Sequence, residues 1–486
     1  MKTKIGLLFL GFLMAACAQR QGKQEVEKRP NILFIIAEDL SPDLGCYGND
    51  LVKTPVLDAL ASNGMRFSSA FVVAPVCAPS RTAIATGMYP TSVGAFHMRY
   101  PDELLPSLPE NVKTLPQIFR ENGYATANIK DEIGNGKYDW LFKVAPEHKF
   151  EFESWKEIAD QDNPFFAMVC SFYTHRDFAK AEEGQFDLEK IPIPPFYPDH
   201  SVTRRDFANY YASIEKLDIQ VGKVMDSLQQ YGLAENTIVA FIGDHGRPMS
   251  RDKNYNYLTG LQVPLIISIP ENLQKPKEYQ KGGEFNRRVN SIDLSATFLD
   301  MAGITAPENM QGQVFWGEHQ KPESEFLYSA TDRIGETDFK SRSIFNKKYH
   351  YIRNYHHDFS VNSSATAYRK AKHPIYQLLN ILDERGELTV AQKALVEEMP
   401  AEELYDIEND PDEMYNLANN PEYKSVLEDM QAGMDNWLKQ IDDKALGKDS
   451  QEIVDAFNAY GDSSRAKFKN LEAKLKKEVE EAVGLQ

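Results

Sequence analysis

The chain has 486 residues and a formal net charge of −18, with 42% hydrophobic and 26% charged side chains. That length buries one large core plus a smaller satellite domain, and the composition excludes disorder as the main state. The negative balance excludes non-specific nucleic-acid binding, which relies on clustered Lys and Arg to displace counterions, so an anionic substrate must be met by a local basic pocket.

Lys2 and Lys4 precede an apolar run from Ile5 to Met14 and then Ala15-Ala16-Cys17, the order of charge, apolar core and small residues of an export signal. The run is too short for a comfortable membrane span. With Cys directly after the small residues, 1–17 resembles a bacterial lipoprotein signal in which Cys17 is lipidated; a plain cleaved signal is the alternative. Residues 18–29 are polar and charged, as suits a tether. The expectation is an exported bacterial lipoprotein, in the periplasm or on the outer-membrane surface, that meets the membrane only through its lipid. Cys46, Cys77 and Cys170 remain, an odd number for an exported chain, so a leftover thiol needs an explanation other than a disulfide framework.

Asn31 to Ile36 is a continuous apolar run, as expected of a strand buried on both faces in a parallel sheet. It leads through Ala37 into Glu38 and Asp39. Adjacent carboxylates at the carboxyl end of a buried strand sit where open α/β sheets bind ligands, and they repel unless a cation is shared. Residues 54–64 read as a helix with Thr54 as N-cap, Pro55 at the first position and Gly64 as the stop, and Phe67 to Val73 has strand composition. Val76 to Gly87 reads as a loop entering a short helix, with Pro79 in its first turn. Its N-terminus, together with Arg81, favours an anion, and Cys77 and Ser80 add two nucleophiles; a buried structural Cys is the other reading.

Thr114 to Gly123 repeats the helix grammar, with Thr114 and Gln117 as a capping box. Phe165 to Cys170 is a second buried strand, and His175 follows its carboxyl end. A long helix is predicted from about Arg205, with Phe207, Tyr210, Ile214 and Leu217 in helical spacing. Thr237 to Gly243 is a third apolar strand, ending in Asp244-His245-Gly246. Parallel strands share their carboxyl edge, so Glu38, Asp39 and Asp244 offer hard oxygen donors with His245 beside them, a set that suits Ca²⁺ or Mg²⁺ better than zinc. The alternation predicts an α/β domain over 30–320, a wound, mainly parallel sheet with helices on both faces.

Residues 321–445 are expected to form a smaller antiparallel sheet with a packed helix. Ile344 to Tyr351 reads as a hairpin, Glu403 to Asp406 as a strand, and Met430, Met434, Trp437 and Leu438 as the apolar face of the helix. Residues 446–486 are charged and weakly amphipathic through Phe457, Phe468 and Leu475, and read as a helical tail with no catalytic duty.

Cys77-x-Pro79-Ser80-Arg81, followed by a helix ending in Thr86-Gly87, resembles the signature of the formylglycine-dependent sulfatases. The resemblance covers most of residues 30 to 420. It extends to Leu44-Gly45-Cys46-Tyr47-Gly48, Asp244-His245-Gly246, Asp293 to Thr297, and Glu403 to Asp406 with Asn416-Leu417. It implies the alkaline-phosphatase fold and oxidation of Cys77 to formylglycine by a formylglycine-generating or anaerobic sulfatase-maturating enzyme. It also implies Ca²⁺ held by Glu38, Asp39, residue 77, Asp244 and His245, with Mg²⁺ as the alternative. Glu38 stands where Asp is usual and His245 where Asn is frequent.

By the same resemblance Arg81, Lys253 and a first lysine hold the sulfate, and His175 helps the alcohol or amine leave. Gly136-Lys137-Tyr138-Asp139-Trp140 resembles a variant among sugar sulfatases and selects Lys137, with Lys130 as competitor. The usual Gly-Lys-x-His is absent, which leaves the leaving-group acid open. Gly94 to Arg99 resembles a substrate-pocket segment of heparan N-sulfatase-like and bacterial glycan sulfatases, giving His97 and Arg99 as contacts to sugar or sulfate; Arg353 is a further candidate. The expected substrate is a sulfated carbohydrate. The rivals are a phosphomonoester or phosphonate hydrolase of the same superfamily and a surface lipoprotein that binds sulfated glycan without turnover. The sequence leaves the glycan, the sulfate position and the oligomeric state open.

Overall fold

The apolar run at residue 31 forms strand β1 (Asn31–Ala37), buried along its whole length. It lies at the centre of a seven-stranded sheet with β2 (Met65–Phe67), β3 (Ala125–Asn128), β4 (Phe165–Ser171), β5 (Thr237–Gly243), β6 (Leu265–Ser268) and β7 (Gly283–Phe285). The spatial order is β3-β4-β1-β5-β6-β2-β7, and only β6 runs antiparallel to its neighbours. This computed structural model describes residues 29–131 and 134–484, so the export segment and Cys17 lie outside the described residues. Among the described residues no helix is long and apolar enough to cross a membrane.

A strand covered on both faces has no polar side to show water. Leu33 and Ile35 of β1 pack with Phe207, Ile214 and Leu217 of helix α2 (Ser201–Gln230), on one face of the sheet. Ile32, Phe34 and Ile36 pack on the other, with Ile84 of helix α1 (Cys77–Thr86) and Leu294 and Phe298 of helix α3 (Ser291–Met301). The expected α/β architecture with helices on both faces is what forms.

Local details differ from the sequence reading. Phe67 to Val73 is not one strand: β2 ends at Phe67, and Ala70–Phe71 pairs separately with Val289–Asn290. The Thr54 hydroxyl does not cap its helix but donates to Asp58 and accepts from the Gly45 N–H, and the Thr114 hydroxyl donates to the His148 carbonyl. Helix α2 starts at Ser201, where the His200 ring accepts the Val202 N–H at 3.1 Å.

The second sheet runs antiparallel through β8 (Leu327–Thr331), β9 (Ser341–Phe345), β10 (Tyr349–Asn354) and β11 (Glu402–Asp406). Ahead of β11, the short helix α4 (Ala367–Lys372) sits among the connecting turns. Met430, Met434 and Trp437 of helix α5 (Lys424–Gln440) pack on Ile344, Tyr351 and Leu404. The two sheets are tied by buried polar contacts, with Tyr257 Oη donating to Glu403 at 3.0 Å and Arg251 to the Glu413 carbonyl at 2.8 Å. The charged end of the chain forms one helix, α6 (Gln451–Gly484), which packs on α4 and on Pro374–Glu384.

Candidate active site

Register brings the polar strand ends together. Ala37 lies opposite Ser171 of β4 and Gly243 of β5, so Glu38, Phe172 and Asp244 leave the sheet at one level. The Asp244 N–H donates to the Ala37 carbonyl at 2.8 Å, and the Asp39 N–H to Asp244 Oδ1 at 2.9 Å. Asp39 turns the chain with a φ of 54°, a left-handed conformation that Asp tolerates better than most residues.

Asp39, Asp244 and His245 are buried, and one ligand atom from each lies within 4.8 Å of the others. His245 Nδ1 sits 2.8 Å from the Gly246 carbonyl and must donate to it, which leaves Nε2 as the lone-pair nitrogen of the neutral ring. That Nε2 lies 2.9 Å from Asp39 Oδ1 and 3.6 Å from Asp244 Oδ1, yet it is buried without a hydrogen-bond partner. Without a cation, burial lowers the His245 pKa, but Asp244 and Asp39 outweigh it and raise it to about 10. Burial opposes the charge on Asp39, yet Lys253, His175 and His245 hold its carboxyl well below the usual range. Two carboxylates facing an orphaned imidazole nitrogen are a donor set that fits a divalent cation.

Glu38 also belongs to the expected ligand set. It is absent from that trio: its Oε1 lies 2.9 Å from Lys137 Nζ and 3.5 Å from Arg81. The cause is the turn that follows β1: the strand ends at Ala37, and the left-handed φ of 54° at Asp39 carries its side chain away from that of Glu38. Arg81 is buried beneath it, donating from Nε to Asp244 Oδ2 at 3.0 Å and from a terminal nitrogen to Cys170 Sγ at 3.0 Å. Burial works against its charge, but Cys170, Asp244 and Glu38 hold it protonated.

Cys77 is the first residue of α1, buried, with Gly87 ending that helix at a φ of 65°. It lines a cavity of about 350 Å³ together with Asp39, Arg99, Lys137, His175 and Lys253. Lys253 donates to both Asp39 oxygens, at 2.7 and 3.0 Å, while Lys137 Nζ lies 3.1 Å from Asp139 as well as beside Glu38. Arg99 shares Asp139 at 2.9 Å, and although burial favours the acid, Lys137, Arg99 and Arg81 bring the Asp139 pKa to about 2. Burial disfavours both ammonium charges; Cys77 and Glu38 for Lys137, and Asp39 and Cys77 for Lys253, raise their pKa values above the ordinary one. Lys130, the competitor of Lys137, pairs with Glu153 on the surface and does not line the cavity.

Two expected substrate contacts are turned elsewhere. His97 is buried against Asp449 and Phe457, and Arg353 pairs with Asp435 on the outside of the second sheet; neither lines the cavity, because each has an acidic partner outside it. Residues that sequence reasoning passed over stand there instead: Arg176, Asn254, Tyr368, His373 and four from α6. His373 is buried with Nδ1 unpartnered, and burial and then Arg176 push its pKa well below the ordinary value, so the ring is neutral. Only the His373-Pro374 helix start marked it in the sequence.

Comparison with known proteins agrees with this geometry. The family model described as Sulfatase matches residues 30–304, and that described as N-sulphoglucosamine sulphohydrolase, C-terminal, matches 243–393. An ulvan-active sulfatase of Formosa agariphila is 33% identical over 485 residues, covering 89% of this chain and 79% of that protein. Human N-sulphoglucosamine sulphohydrolase is 25% identical over 463 residues, covering 85% and 90%. The crystal structure of a phosphonate monoester hydrolase of Agrobacterium radiobacter shares the fold, with a TM-score of 0.62 at 17% identity, covering 86% and 97%. The chain belongs to the sulfatase family and is a sulfuric ester hydrolase.

Proposed function

We propose that this sulfatase releases sulfate from a sulfated carbohydrate, a glycosaminoglycan or other polysaccharide fragment, with residue 77 as its nucleophile after conversion of Cys77 to formylglycine. One observation carries the reading: a single cavity collects the helix-start Cys77, two lysines, His175 and the edge of the Asp39, Asp244 and His245 trio. The relatives' activities on ulvan and on N-sulphoglucosamine support the carbohydrate class. As formylglycine, residue 77 would supply a hydrated aldehyde, one hydroxyl attacking sulfur and the other later expelling sulfate to restore the aldehyde.

Asp39, Asp244 and His245 would hold a divalent cation, Ca²⁺ by the oxygen-rich set with Mg²⁺ as the alternative, and it would supply charge neutralisation at the sulfuryl oxygens. Lys137 and Lys253 flank the nucleophile and neutralise negative charge as the sulfur–oxygen bond breaks. Arg81 acts from below, orienting Asp244. His175 is exposed to the cavity and gives its proton to the departing oxygen or nitrogen. The Nδ1 of its ring lies against the Arg176 carbonyl, which directs Nε2 outward.

The export pattern of residues 1–17 supports a lipoprotein anchored through Cys17 in the periplasm or on the outer-membrane surface, matured by a formylglycine-generating or anaerobic sulfatase-maturating enzyme. Sulfate release from defined ulvan and glycosaminoglycan oligosaccharides, with intact mass of the Cys77 peptide from the native host, tests the reading. Expected are release by the wild type, an aldehyde at position 77 and no turnover by Cys77→Ser. Full activity of Cys77→Ser would overturn the mechanism. Turnover of an aryl phosphate in preference to the aryl sulfate would overturn the substrate class.

A further inference from the structure

Helix α6 forms part of the cavity wall. Tyr460, Ser464, Lys467 and Phe468 line the space that also holds Cys77 and His175. Their spacing places them on one helical face. That face is held in register by a notch: Gly461 carries no side chain because a Cβ there would meet Glu336 Cβ at 2.6 Å. The Phe468 ring stands edge-on to Tyr368 at 5.6 Å, closing the wall from the other side.

We propose that α6 binds an anionic group on the saccharide unit next to the one that is cut, with Lys467 as the residue that selects it; this rests on the carbohydrate reading above. Of the other five Lys and Arg side chains on the cavity wall, Arg99, Lys137, Arg176 and Lys253 are committed to Asp139, Glu38, Asp206 and Asp39 respectively, and the buried Arg369 donates to the Met249 and Ser250 carbonyls. Among the described residues Lys467 has no carboxylate partner, its ammonium lying 5.2 Å from the centre of the neighbouring Phe468 ring, although Lys474, Lys476 and Lys477 of the same helix pair with Glu478, Glu480 and Glu481 at i+4. The sequence explains the difference, because the positions three and four away from Lys467 are Ser463, Ser464, Asn470 and Leu471. An ammonium on a flexible stem is a point charge able to follow a carboxylate or a sulfate.

The other groups suit a sugar ring. Glu336 Oε2 is buried without a hydrogen-bond partner, while Oε1 accepts the Ala367 N–H at 2.6 Å. A sugar hydroxyl is the donor that Oε2 lacks. Tyr460, 48% exposed, offers an aromatic face to the apolar side of the ring. Cation, acceptor and aromatic surface thus converge beside the reacting unit.

The test compares kcat/KM for three sulfated disaccharides whose second unit is a hexuronate, its carboxyl-reduced counterpart, or a unit carrying a second sulfate. For Lys467→Ala the value on an acidic neighbour should fall about tenfold relative to the neutral one, about 1.4 kcal/mol, mostly through KM. Lys467→Arg should restore the ratio. Whichever acidic substrate loses more identifies the anion as carboxylate or sulfate. Equal losses on acidic and neutral substrates would overturn the proposal. Calorimetric titration with an unsulfated glucuronate-containing disaccharide reads the site without turnover: binding that Lys467→Ala weakens supports the subsite even if no sulfate ester is cut, and binding indifferent to the variant refutes it.

Discussion

His97 Nε2 lies 2.9 Å from Asp449 Oδ1, joining the loop after α1 to the residue that leads into α6. Arg333 donates to the other Asp449 oxygen at 3.2 Å from Nε, and Phe457 of α6 stands edge-on to the His97 ring at 5.6 Å. The pair is a latch for the cavity wall. Asp449→Ala should lower the free energy of local opening of 451–484 by about 1.5–3 kcal/mol, the worth of hydrogen bonds to a charged group. Hydrogen exchange by mass spectrometry should show this loss in α6 while β1, β4 and β5 keep their protection.

The latch also predicts an acid response. Hydrogen bonding from His97, with Arg333 adding to it, brings the Asp449 pKa from 3.8 to about 2. A carboxyl depressed in the folded state stabilises it above the unfolded pKa and loses that contribution as pH falls through the folded one. Protease cutting within α6 should therefore rise between about pH 4 and 2 in the wild type, and Asp449→Asn should remove this pH dependence.

Cation binding should be visible as stability. At a Ca²⁺ concentration 100 times its Kd the folded state gains about 2.7 kcal/mol. Exhaustive chelation should lower the melting temperature and abolish sulfate release, with Ca²⁺ restoring both. Asp244→Asn should lose the response, and a melting temperature indifferent to Ca²⁺ and Mg²⁺ would refute the site.

Lys253→Met leaves the buried Asp39 carboxylate without its ammonium partner. Breaking a buried pair from one side costs about 3–5 kcal/mol, and denaturant unfolding of the chelated protein should show a loss of that order. With Ca²⁺ present the loss should shrink, since the cation neutralises the same carboxylate. Sulfate release should stay about 10²–10³-fold down in either case, because in the proposed mechanism Lys253 also stabilises the transition state.

Gly461→Ala separates helix propensity from packing. On an isolated helix the change is worth about 1 kcal/mol in favour of Ala. Here the added Cβ would sit 2.6 Å from Glu336 Cβ, so the variant should melt lower than the wild type and show a raised KM on oligosaccharides. A higher melting temperature would show that α6 does not seat on Glu336 as described.

What the sequence alone determined was the sheet and the edge where chemistry occurs. The apolar runs at 31–36, 165–170 and 237–243 could be buried only on both faces, and burial on both faces with helices between them dictates parallel neighbours whose carboxyl ends align. Hence Asp39, Asp244, His245 and His175 were legible as one edge, and Cys77 as a helix start facing it. What only the tertiary structure decided was which neighbour each side chain meets. Glu38 and Asp39 are adjacent in sequence, yet one turns to Lys137 and Arg81 while the other turns to His245 and Lys253. His97 and Lys467 were read as a pocket residue and part of an idle tail; an acid 352 positions away takes the first, and a glycine notch brings the second to the cavity. Periodicity reports which face of an element is apolar, but not which distant segment will cover it, because that choice belongs to packing summed over the whole chain.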